Sequence, residues 1–383
     1  MGAFLKTPCP YWVDRYVENT MTEKLTRREF LKVSALGLGS LVSSFAARRF
    51  SPLTQVGTLA EFPNYERLGR ITVGKIDIHL RPDIDSPVVG ALFEDQVVPW
   101  LREHVGRHPF RVNQRWLEIP EGFIWSPYVQ PVQNTPVSPV AELYETTLGS
   151  GMWVEVAVPY VDLVLDNPPA RSFWLAERIS RGVPPRFYYS QIFWADEIQT
   201  DENGKVWYRL NERYGFGDIF YGPAEAFRRI TPEEVAPISP DVEDKRVVID
   251  VDRQVLSLFE GNSEVFFCRV STGAFYEEDY ITPLGTSAIW RKMISAHMTG
   301  GTTGGGYDLP GIGWTTLFIG NGIAIHSTFW HNDFGVPRSH GCINVQPNDG
   351  KQIFRWVAPT VPYDPGDVTV GMPGGTRVTV MQS

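Results

Sequence analysis

Residues 339–344 read Ser339-His340-Gly341-Cys342-Ile343-Asn344, and the interpretation of the whole chain starts from this stretch. It places one of only three cysteines beside a glycine and close to a histidine. A thiol attacks a carbonyl as its thiolate, so a catalytic cysteine needs a neighbouring base, which is usually histidine. A lone cysteine is, however, most often a small buried hydrophobe. The chemistry of Cys342 alone leaves catalysis and core packing equally open.

Two histidines could act as the base for Cys342. His340 is two residues away and faces the same side of an extended chain. His326 ends the strand-like run 322–326, whose isoleucines face the core while His326 faces the other side. Gly341 allows close approach to a substrate, and its N–H and that of Cys342 could bind an oxyanion. A zinc site is weaker, because no second cysteine stands at metal-ligand spacing.

The C-terminal third resembles the L,D-transpeptidase catalytic domain, the YkuD family. The resemblance rests on His326, twelve intervening residues, and the Ser-His-Gly-Cys motif followed by a hydrophobic residue and asparagine. Residues 282–286 (Thr-Pro-Leu-Gly-Thr) are similar to an upstream segment of the family, without the aromatic residue that is common there. The resemblance covers about residues 243–383 and implies a β-sandwich with a short helix.

The resemblance also implies roles for individual residues. Cys342 would be acylated, His326 would be the base, and the carbonyl of Ser327 would orient its imidazole. His340 would support the site. Gly341 completes the catalytic set, and the candidate substrate contacts are Tyr307, Trp314, Ser339 and Asn344. No metal or organic cofactor is expected.

Other patterns in the C-terminal region predict its elements. Alternating residues predict strands at 246–251, 254–259 and 265–270, a helix at 348–356 and a closing strand at 374–380. Residues 287–314 lack periodicity and contain the glycine run 300–306, which is typical of a lid loop rather than a phosphate loop. Cys268 lies in an apolar run and is expected in the core.

The N-terminal part predicts export. Residues 1–20 are uninformative. Residues 21–50 contain Thr26-Arg27-Arg28-Glu29-Phe30-Leu31-Lys32 followed by an apolar run, and resemble a twin-arginine export signal. The apolar run at 33–42 is short for a stable membrane span. The signal is either cleaved or an uncleaved membrane anchor, and the rest of the chain is expected outside the cytoplasm.

Two segments between the signal and the C-terminal domain are predicted to be small β barrels. Residues 66–132 alternate in hydrophobicity between turn signals and resemble a bacterial SH3-like domain. Residues 151–238 read as a second, divergent copy, in which Trp207 corresponds to Trp116 and residues 220–223 to 124–127. Both barrels lack a Cys/His pair, so they are expected to affect placement rather than chemistry. His79, His104 and His108 are expected to be solvated or structural.

The amino-acid composition indicates the structural class of the protein and the kind of partner that it excludes. The net charge of −9 argues against a nucleic-acid partner, and many glycines, prolines and aromatic residues favour mainly β structure. The resemblance implies a peptidoglycan L,D-transpeptidase that releases D-alanine from a tetrapeptide stem and transfers the acyl group to an amine during cell-wall cross-linking. Its partners would be stem peptides of the cell wall. The alternatives are an L,D-carboxypeptidase, which uses water as acceptor, and a non-catalytic wall-binding protein.

Overall fold

The computed structural model describes residues 59–274, 280–300, 307–320, 322–371 and 374–383. The predicted export signal and most of the glycine run lie outside the described residues. The chain is mainly β, with 46% strand and 9% helix, which confirms the predicted fold class. Among the described helices, none is long and apolar enough to cross a membrane.

The first domain, residues 66–132, consists of two small sheets around one core. In the strand at residues 75–79, Ile76 and Ile78 are buried while Lys75 is exposed, as expected for a half-buried strand. The sheets run in the orders β4-β1-β8 and β3-β2-β7-β6-β5. The strands are β1 (Leu68–Ile71), β2 (Lys75–His79), β3 (Val88–Phe93), β4 (Val97–Pro99), β5 (Arg102–Val105), β6 (Arg115–Ile119), β7 (Gly122–Trp125) and β8 (Val129–Val132).

The second domain was predicted at residues 151–238, but its strands begin earlier, at Tyr144, and its larger sheet has the order β12-β16-β15-β14-β10-β17. Strand β9 pairs with β10, and β11 with β13. The elements are β9 (Tyr144–Thr146), β10 (Gly149–Val156), β11 (Tyr160–Asp162), β12 (Val164–Leu165), α1 (Phe173–Ser180), β13 (Arg186–Tyr188), β14 (Ile192–Thr200), β15 (Val206–Asn211), β16 (Ile219–Pro223), β17 (Phe227–Arg229) and α2 (Pro232–Val235).

The two N-terminal domains share a hairpin followed by a short 3-10 turn. The residues that correspond in the two hairpins differ from those that the sequence pattern indicated. Trp116 pairs with Trp125, and Trp207 pairs with Pro223. Each hairpin ends in a short 3-10 turn, at Ser126–Tyr128 and Ala224–Ala226. The counterpart of Trp125 is therefore Pro223, two positions beyond the residue that the sequence pattern indicated. The classification of both domains as SH3-like stays a prediction.

The C-terminal domain is a β-sandwich of two five-stranded sheets, ordered β20-β19-β18-β27-β21 and β25-β24-β23-β22-β26. Each sheet contains one parallel pair, β18 with β27 and β24 with β25. The elements are β18 (Lys245–Asp250), β19 (Val255–Glu260), β20 (Ser263–Arg269), β21 (Gly285–Ala288), β22 (Arg291–Gly300), β23 (Tyr307–Ile319), β24 (Ile323–Ser327), β25 (Ile343–Val345), α3 (Pro347–Trp356), β26 (Asp367–Thr369) and β27 (Arg377–Met381).

The predicted strands and helix of this domain are present near their expected positions, but the lid loop is not as predicted. Residues 291–300 and 307–319 form the long antiparallel pair β22–β23, so most of the stretch 287–314 is regular strand. Strand β22 alternates weakly because many of its residues are buried against neighbouring elements. Residues 301–306 of the expected loop lie outside the described residues.

Candidate active site

Cys342 lies at the end of a tight turn, residues 339–342, which we call the catalytic turn. Gly341 has φ +105°, a conformation that favours glycine. The Gly341 N–H donates to Ser339 Oγ (3.1 Å), and Ser339 Oγ donates to the Cys342 carbonyl. The Gly341 N–H, expected to face an oxyanion, is thus bonded inside the turn. Ser339 is buried, so it shapes the turn and offers little surface to a substrate.

Thr282 stabilises the catalytic turn through two hydrogen bonds. Its Oγ1 accepts from the Gly273 N–H (2.9 Å) and donates to the Gly341 carbonyl (2.9 Å). A Cβ on Gly273 would overlap the Tyr280 carbonyl, so only glycine fits there. The bond to Gly341 gives the Thr-Pro-Leu-Gly segment a physical role, because its threonine holds the turn that carries Cys342.

His326 lies near the end of β24 and is buried. Its Nδ1 lies 2.9 Å from the Ser327 carbonyl, which can only accept, so Nδ1 carries the proton and Nε2 keeps a free lone pair in the neutral ring. Burial lowers the pKa of His326 to about 4, and the bond to Ser327 opposes this only partly. The ring is therefore a neutral base at ordinary pH, in the tautomer that the resemblance implied.

The thiol of Cys342 is half-buried beside the start of β24. Its Sγ lies 3.8 Å from the Gly322 carbonyl. Burial raises the pKa of Cys342 to about 11, and a hydrogen bond with the Ala324 backbone opposes the shift. Ala324 and His326 are two residues apart on one strand and face the same side. The resting pair is a neutral thiol and a neutral imidazole rather than an ion pair.

His340 lies among tyrosines at the edge of the turn. Its ring centroid is 4.2 Å from that of Tyr280 and 5.2 Å from that of Tyr307. Burial raises the pKa of Tyr307 to about 12, and the nearby Cys342 adds to the shift. Tyr307 thus lies near enough to Cys342 for their charges to interact, and its role as a substrate contact stays a prediction. Tyr280 is a neighbour that the sequence analysis missed.

Trp314 is not brought to this site. It is 1% exposed and packs on Phe354 with ring centroids 5.3 Å apart. Both belong to an apolar cluster that also contains Trp153 and Trp194 of the second domain. Trp314 has no surface left for a substrate, so the expected substrate contact is replaced by a role in domain packing.

Asn344 is also buried, and its partner is His331, which the sequence analysis did not single out. Asn344 lies opposite His326 in the parallel pair of β24 and β25. Its side-chain amide lies 3.0 Å from His331 Nε2. The atom of Asn344 at this distance is Nδ2, and the Asp333 N–H donates to Nδ1 of the same His331 ring (3.1 Å). Asn344 therefore supports the site from inside.

The other cysteine in the described residues behaves as expected for a core residue. Cys268 is buried, and burial raises its pKa. Within the described ranges, no group of three or more His, Cys, Asp or Glu side chains is placed to hold a metal ion. Cys342 is thus the more accessible of these two thiols.

This arrangement can be compared with known proteins. Residues 244–380 match YkuD, the L,D-transpeptidase catalytic domain. A search among curated proteins found no match. The sequence motif therefore identified the same domain, with bounds close to those predicted.

Several solved structures are similar to part of this chain. The NMR structure of the catalytic domain of an E. faecium L,D-transpeptidase is 24% identical, with coverage of 36% of this chain and 98% of that chain and a TM-score of 0.28. An L,D-transpeptidase from Mycobacterium smegmatis is 17% identical, with coverage of 48% and 98% and a TM-score of 0.29. One from Xylanimonas cellulosilytica DSM 15894 is 25% identical, with coverage of 38% and 64% and a TM-score of 0.24.

Proposed function

We propose that this chain is an extracytoplasmic peptidoglycan L,D-transpeptidase that acts through a thioester on Cys342. The observation that carries the proposal is the neutral His326, fixed by the Ser327 carbonyl with Nε2 free, on the strand beside the turn that presents Cys342. The match of residues 244–380 to the L,D-transpeptidase catalytic domain supports the substrate class.

The first half-reaction forms the acyl-enzyme. Cys342 Sγ attacks the carbonyl between the L-centre of the diamino acid and the terminal D-alanine, and its proton passes to His326 Nε2. The tetrahedral intermediate collapses, the C–N bond breaks, and His326 returns the proton to the departing amine of D-alanine. A thioester on Cys342 and a neutral His326 remain.

The second half-reaction reverses these roles. The amine of a neighbouring stem attacks the thioester carbonyl and gives its proton to His326. The C–S bond breaks, and the proton returns to Sγ to restore the thiol. The atoms and electrons of the two half-reactions balance without an external redox partner or cofactor.

The pKa values of the pair determine when the proton moves. The pKa of Cys342 is raised to about 11 and that of His326 is lowered to about 4, so the thiolate is scarce at neutral pH. Proton transfer therefore accompanies attack on the carbonyl instead of preceding it. A neutral resting site also favours an exported enzyme, because a thiol is less easily oxidised than a thiolate.

The substrate groove is proposed along the tyrosine side of the catalytic turn. Tyr280 and Tyr307 flank His340, and Tyr307 approaches the thiol, so their rings and hydroxyls can hold an acyl donor next to Cys342. Buried Ser339 and Asn344 are assigned to the support of the turn. Export by the twin-arginine route, with a cleaved or uncleaved signal at residues 21–50, is part of the same proposal.

Purified tetrapeptide-stem muropeptides test the proposal directly. The full-length chain should yield cross-linked dimers and free D-alanine, measured by mass spectrometry of the products. Trimmed tripeptides without dimers would indicate a carboxypeptidase, and unchanged muropeptides would contradict catalysis. Cys342→Ala should lower turnover by several orders of magnitude, and the matched variant Cys268→Ala should retain it.

A further inference from the structure

The loop that follows the base strand is held largely by the first domain. We call residues 328–333 the base loop; it begins directly after Ser327 and has no regular secondary structure. Within the YkuD domain, His331 contacts Asn344 and the Trp330 ring lies 5.8 Å from the His326 ring. Any movement of the base loop would therefore also shift the Ser327 carbonyl and the rings that surround His326.

Residues of the first domain bond to the base loop at three positions. The contacts are Arg70 Nη2 to the Phe329 carbonyl (2.9 Å), Arg115 Nη2 to the Asn332 carbonyl (2.7 Å), the Asn332 N–H to the Pro127 carbonyl (3.0 Å), Asn332 Nδ2 to Ser126 Oγ (3.3 Å), and Asn113 Nδ2 to Asp333 Oδ1 (3.1 Å). The side chains of Arg70, Asn113, Asn332 and Asp333 are all buried. Buried hydrogen bonds of this kind are costly to break, because the freed polar groups cannot reach water.

One of these contacts extends from the base loop to the residue that precedes the catalytic turn. Asp333 accepts from Asn113 with Oδ1 and from Arg338 Nη1 with Oδ2 (3.1 Å). Arg338 immediately precedes the catalytic turn. The Asp333 backbone N–H also donates to His331 Nδ1 (3.1 Å). Asn113 thus anchors a carboxylate that links the base loop to the segment that carries Cys342.

The base loop has two further contacts, the stacking of Tyr188 on Phe329 (ring centroids 5.7 Å apart) and a hydrogen bond from Ser271 Oγ to the Asp333 carbonyl (3.0 Å), and it also borders a cavity. A cavity of about 360 Å³ lies between the three domains, and Thr328 and His331 line it together with Trp100 and Tyr189. Among the described residues, Thr328 Oγ1 has no hydrogen-bond partner. Thr328 and His331 lack packing contacts where they border the cavity, so at that side the polar contacts from the first domain contribute more to the position of the loop.

We propose that Arg70, Asn113 and Arg115 of the first domain are positioning residues for the acyl transfer at Cys342. They hold the base loop so that the Ser327 carbonyl keeps His326 in the tautomer with Nε2 free. This inference rests on the proposed function. It replaces the expectation that the N-terminal domains affect placement only, because the first domain completes the support of the base.

The test uses full-length variants at the buried contact between Asn113 and Asp333. Asn113→Asp places two carboxylates face to face, and their repulsion should displace the base loop. We expect kcat for the muropeptide to fall about tenfold or more, because small misplacements of a catalytic group are costly, while KM changes by less than about twofold. Asn113→Ala removes the hydrogen bond without adding charge and should lower kcat in the same direction, by less.

Two further variants separate positioning from damage to the fold. The double variant N113D with D333N lets the amide at position 333 donate to the carboxylate at position 113, and it should recover most of kcat. Arg102→Gln changes an exposed arginine in β5 that pairs with Glu118, and serves as the matched control with wild-type kcat.

The pH dependence of kcat/KM distinguishes positioning from stabilisation, because it would not change if Asn113 only stabilised the fold. The acid limb of kcat/KM in the wild type should lie near pH 4, the pKa of His326. When the loop loosens and water reaches the ring, the limb of N113D should move toward about pH 6.5. If N113D and N113A keep the wild-type kcat and acid limb, or if the double variant fails to recover kcat, the proposal is overturned.

A second readout does not need turnover. Nitrogen-15 NMR of the labelled imidazoles, with His326→Gln for assignment, reports the tautomer of His326. N113D should lose the single Nδ1–H tautomer that the wild type shows, whereas unchanged His326 signals would contradict positioning. A wild type that shows this tautomer but does not process muropeptides would overturn the proposed function and leave the positioning proposal to be decided by these spectra.

Discussion

The two N-terminal domains contact the YkuD domain in different ways. The first domain binds the base loop through hydrogen bonds from Arg70, Asn113 and Arg115. The second domain packs on β22 and β23 through an apolar cluster that contains Trp153 and Trp194. It also makes buried hydrogen bonds to these strands, from Gln191 Nε2 to the Pro310 carbonyl (2.6 Å) and from Ser295 Oγ to the Ile192 carbonyl (2.6 Å), and Tyr188 stacks on Phe329 of the base loop. Polar contacts fix the position of a loop, whereas apolar contacts mainly contribute burial. We therefore expect the first domain to affect the chemistry through the base loop, and the second domain to affect mainly the stability.

The second domain also makes one charged contact with the same strands. His297 of β22 is buried between Glu212 of the second domain (Nδ1 to Oε2, 2.7 Å) and Asp308 of β23. Asp308 in turn accepts from the backbone N–H of Trp174 in α1 (2.9 Å). These contacts therefore tie the long β22–β23 hairpin to the second domain at a point one residue from Tyr307.

The largest expected effect is on the apolar interface. Trp153 is fully buried, and its Nε1 donates to the Tyr363 carbonyl (2.7 Å). Trp153→Ala should lower the free energy of unfolding by about 3–5 kcal/mol, as for other buried tryptophans. Urea denaturation measures this loss. The kcat of the folded variant should stay within about twofold of wild type.

If Trp153→Ala lowered kcat as much as N113D does, the proposed difference between the two domains would be wrong, because both domains would then affect the chemistry. The matched control is Phe216→Ala, which removes a half-exposed ring of the same domain and should cost far less stability.

The charged contact should appear as a pH dependence of stability. Burial alone would lower the pKa of His297, but hydrogen bonds to Asp308 and Glu212 outweigh it and raise the pKa to about 9. A folded-state pKa above the unfolded value of about 6.5 stabilises the fold fully below pH 6.5. This stabilisation should be lost as the pH rises from 6.5 through 9. It should amount to at most about 3 kcal/mol, since a tenfold difference in proton affinity between the folded and unfolded states corresponds to about 1.4 kcal/mol.

Chemical denaturation at several pH values between 6 and 10 checks this expectation, with His297→Gln as the comparison. The variant should lose the part of the pH dependence that belongs to His297. A wild type whose stability is flat over this range, or a variant with the same slope, would show that His297 is not held as a cation.

The catalytic pair could be predicted from sequence because its signal is local. Cys342 lies in a short motif, and His326 precedes it at a fixed spacing on an alternating strand. The role of the Ser327 carbonyl was implied by the resemblance to the YkuD family. Short-range patterns of this kind determine turns and strands directly, so the elements of the YkuD domain were also largely predicted.

The contacts between domains could not be predicted in the same way. Asn113 and Asp333 are separated by 220 residues, and neither has a local pattern that distinguishes it from a surface residue. His297 and Glu212 are likewise 85 residues apart. The tryptophan Trp314 was misplaced because an aromatic residue near a glycine run is equally consistent with a substrate contact and with packing against another domain.

His331 is an intermediate case. It follows His326 by five residues and could have been noted as a third histidine near the motif. Its burial and its contact with Asn344 depend on the parallel pairing of β24 with β25, which brings together strands separated by the base loop and the catalytic turn. Sequence spacing alone gives no indication of that pairing.

The most direct test of the central claim is the mass of the enzyme during turnover. The full-length chain is mixed with a tetrapeptide-stem muropeptide, quenched in acid, digested and analysed by mass spectrometry. The account predicts a thioester adduct of the muropeptide minus D-alanine on the peptide that contains Cys342, present in Cys268→Ala and absent in Cys342→Ala. An adduct on any other residue, or turnover that persists in Cys342→Ala, would contradict it.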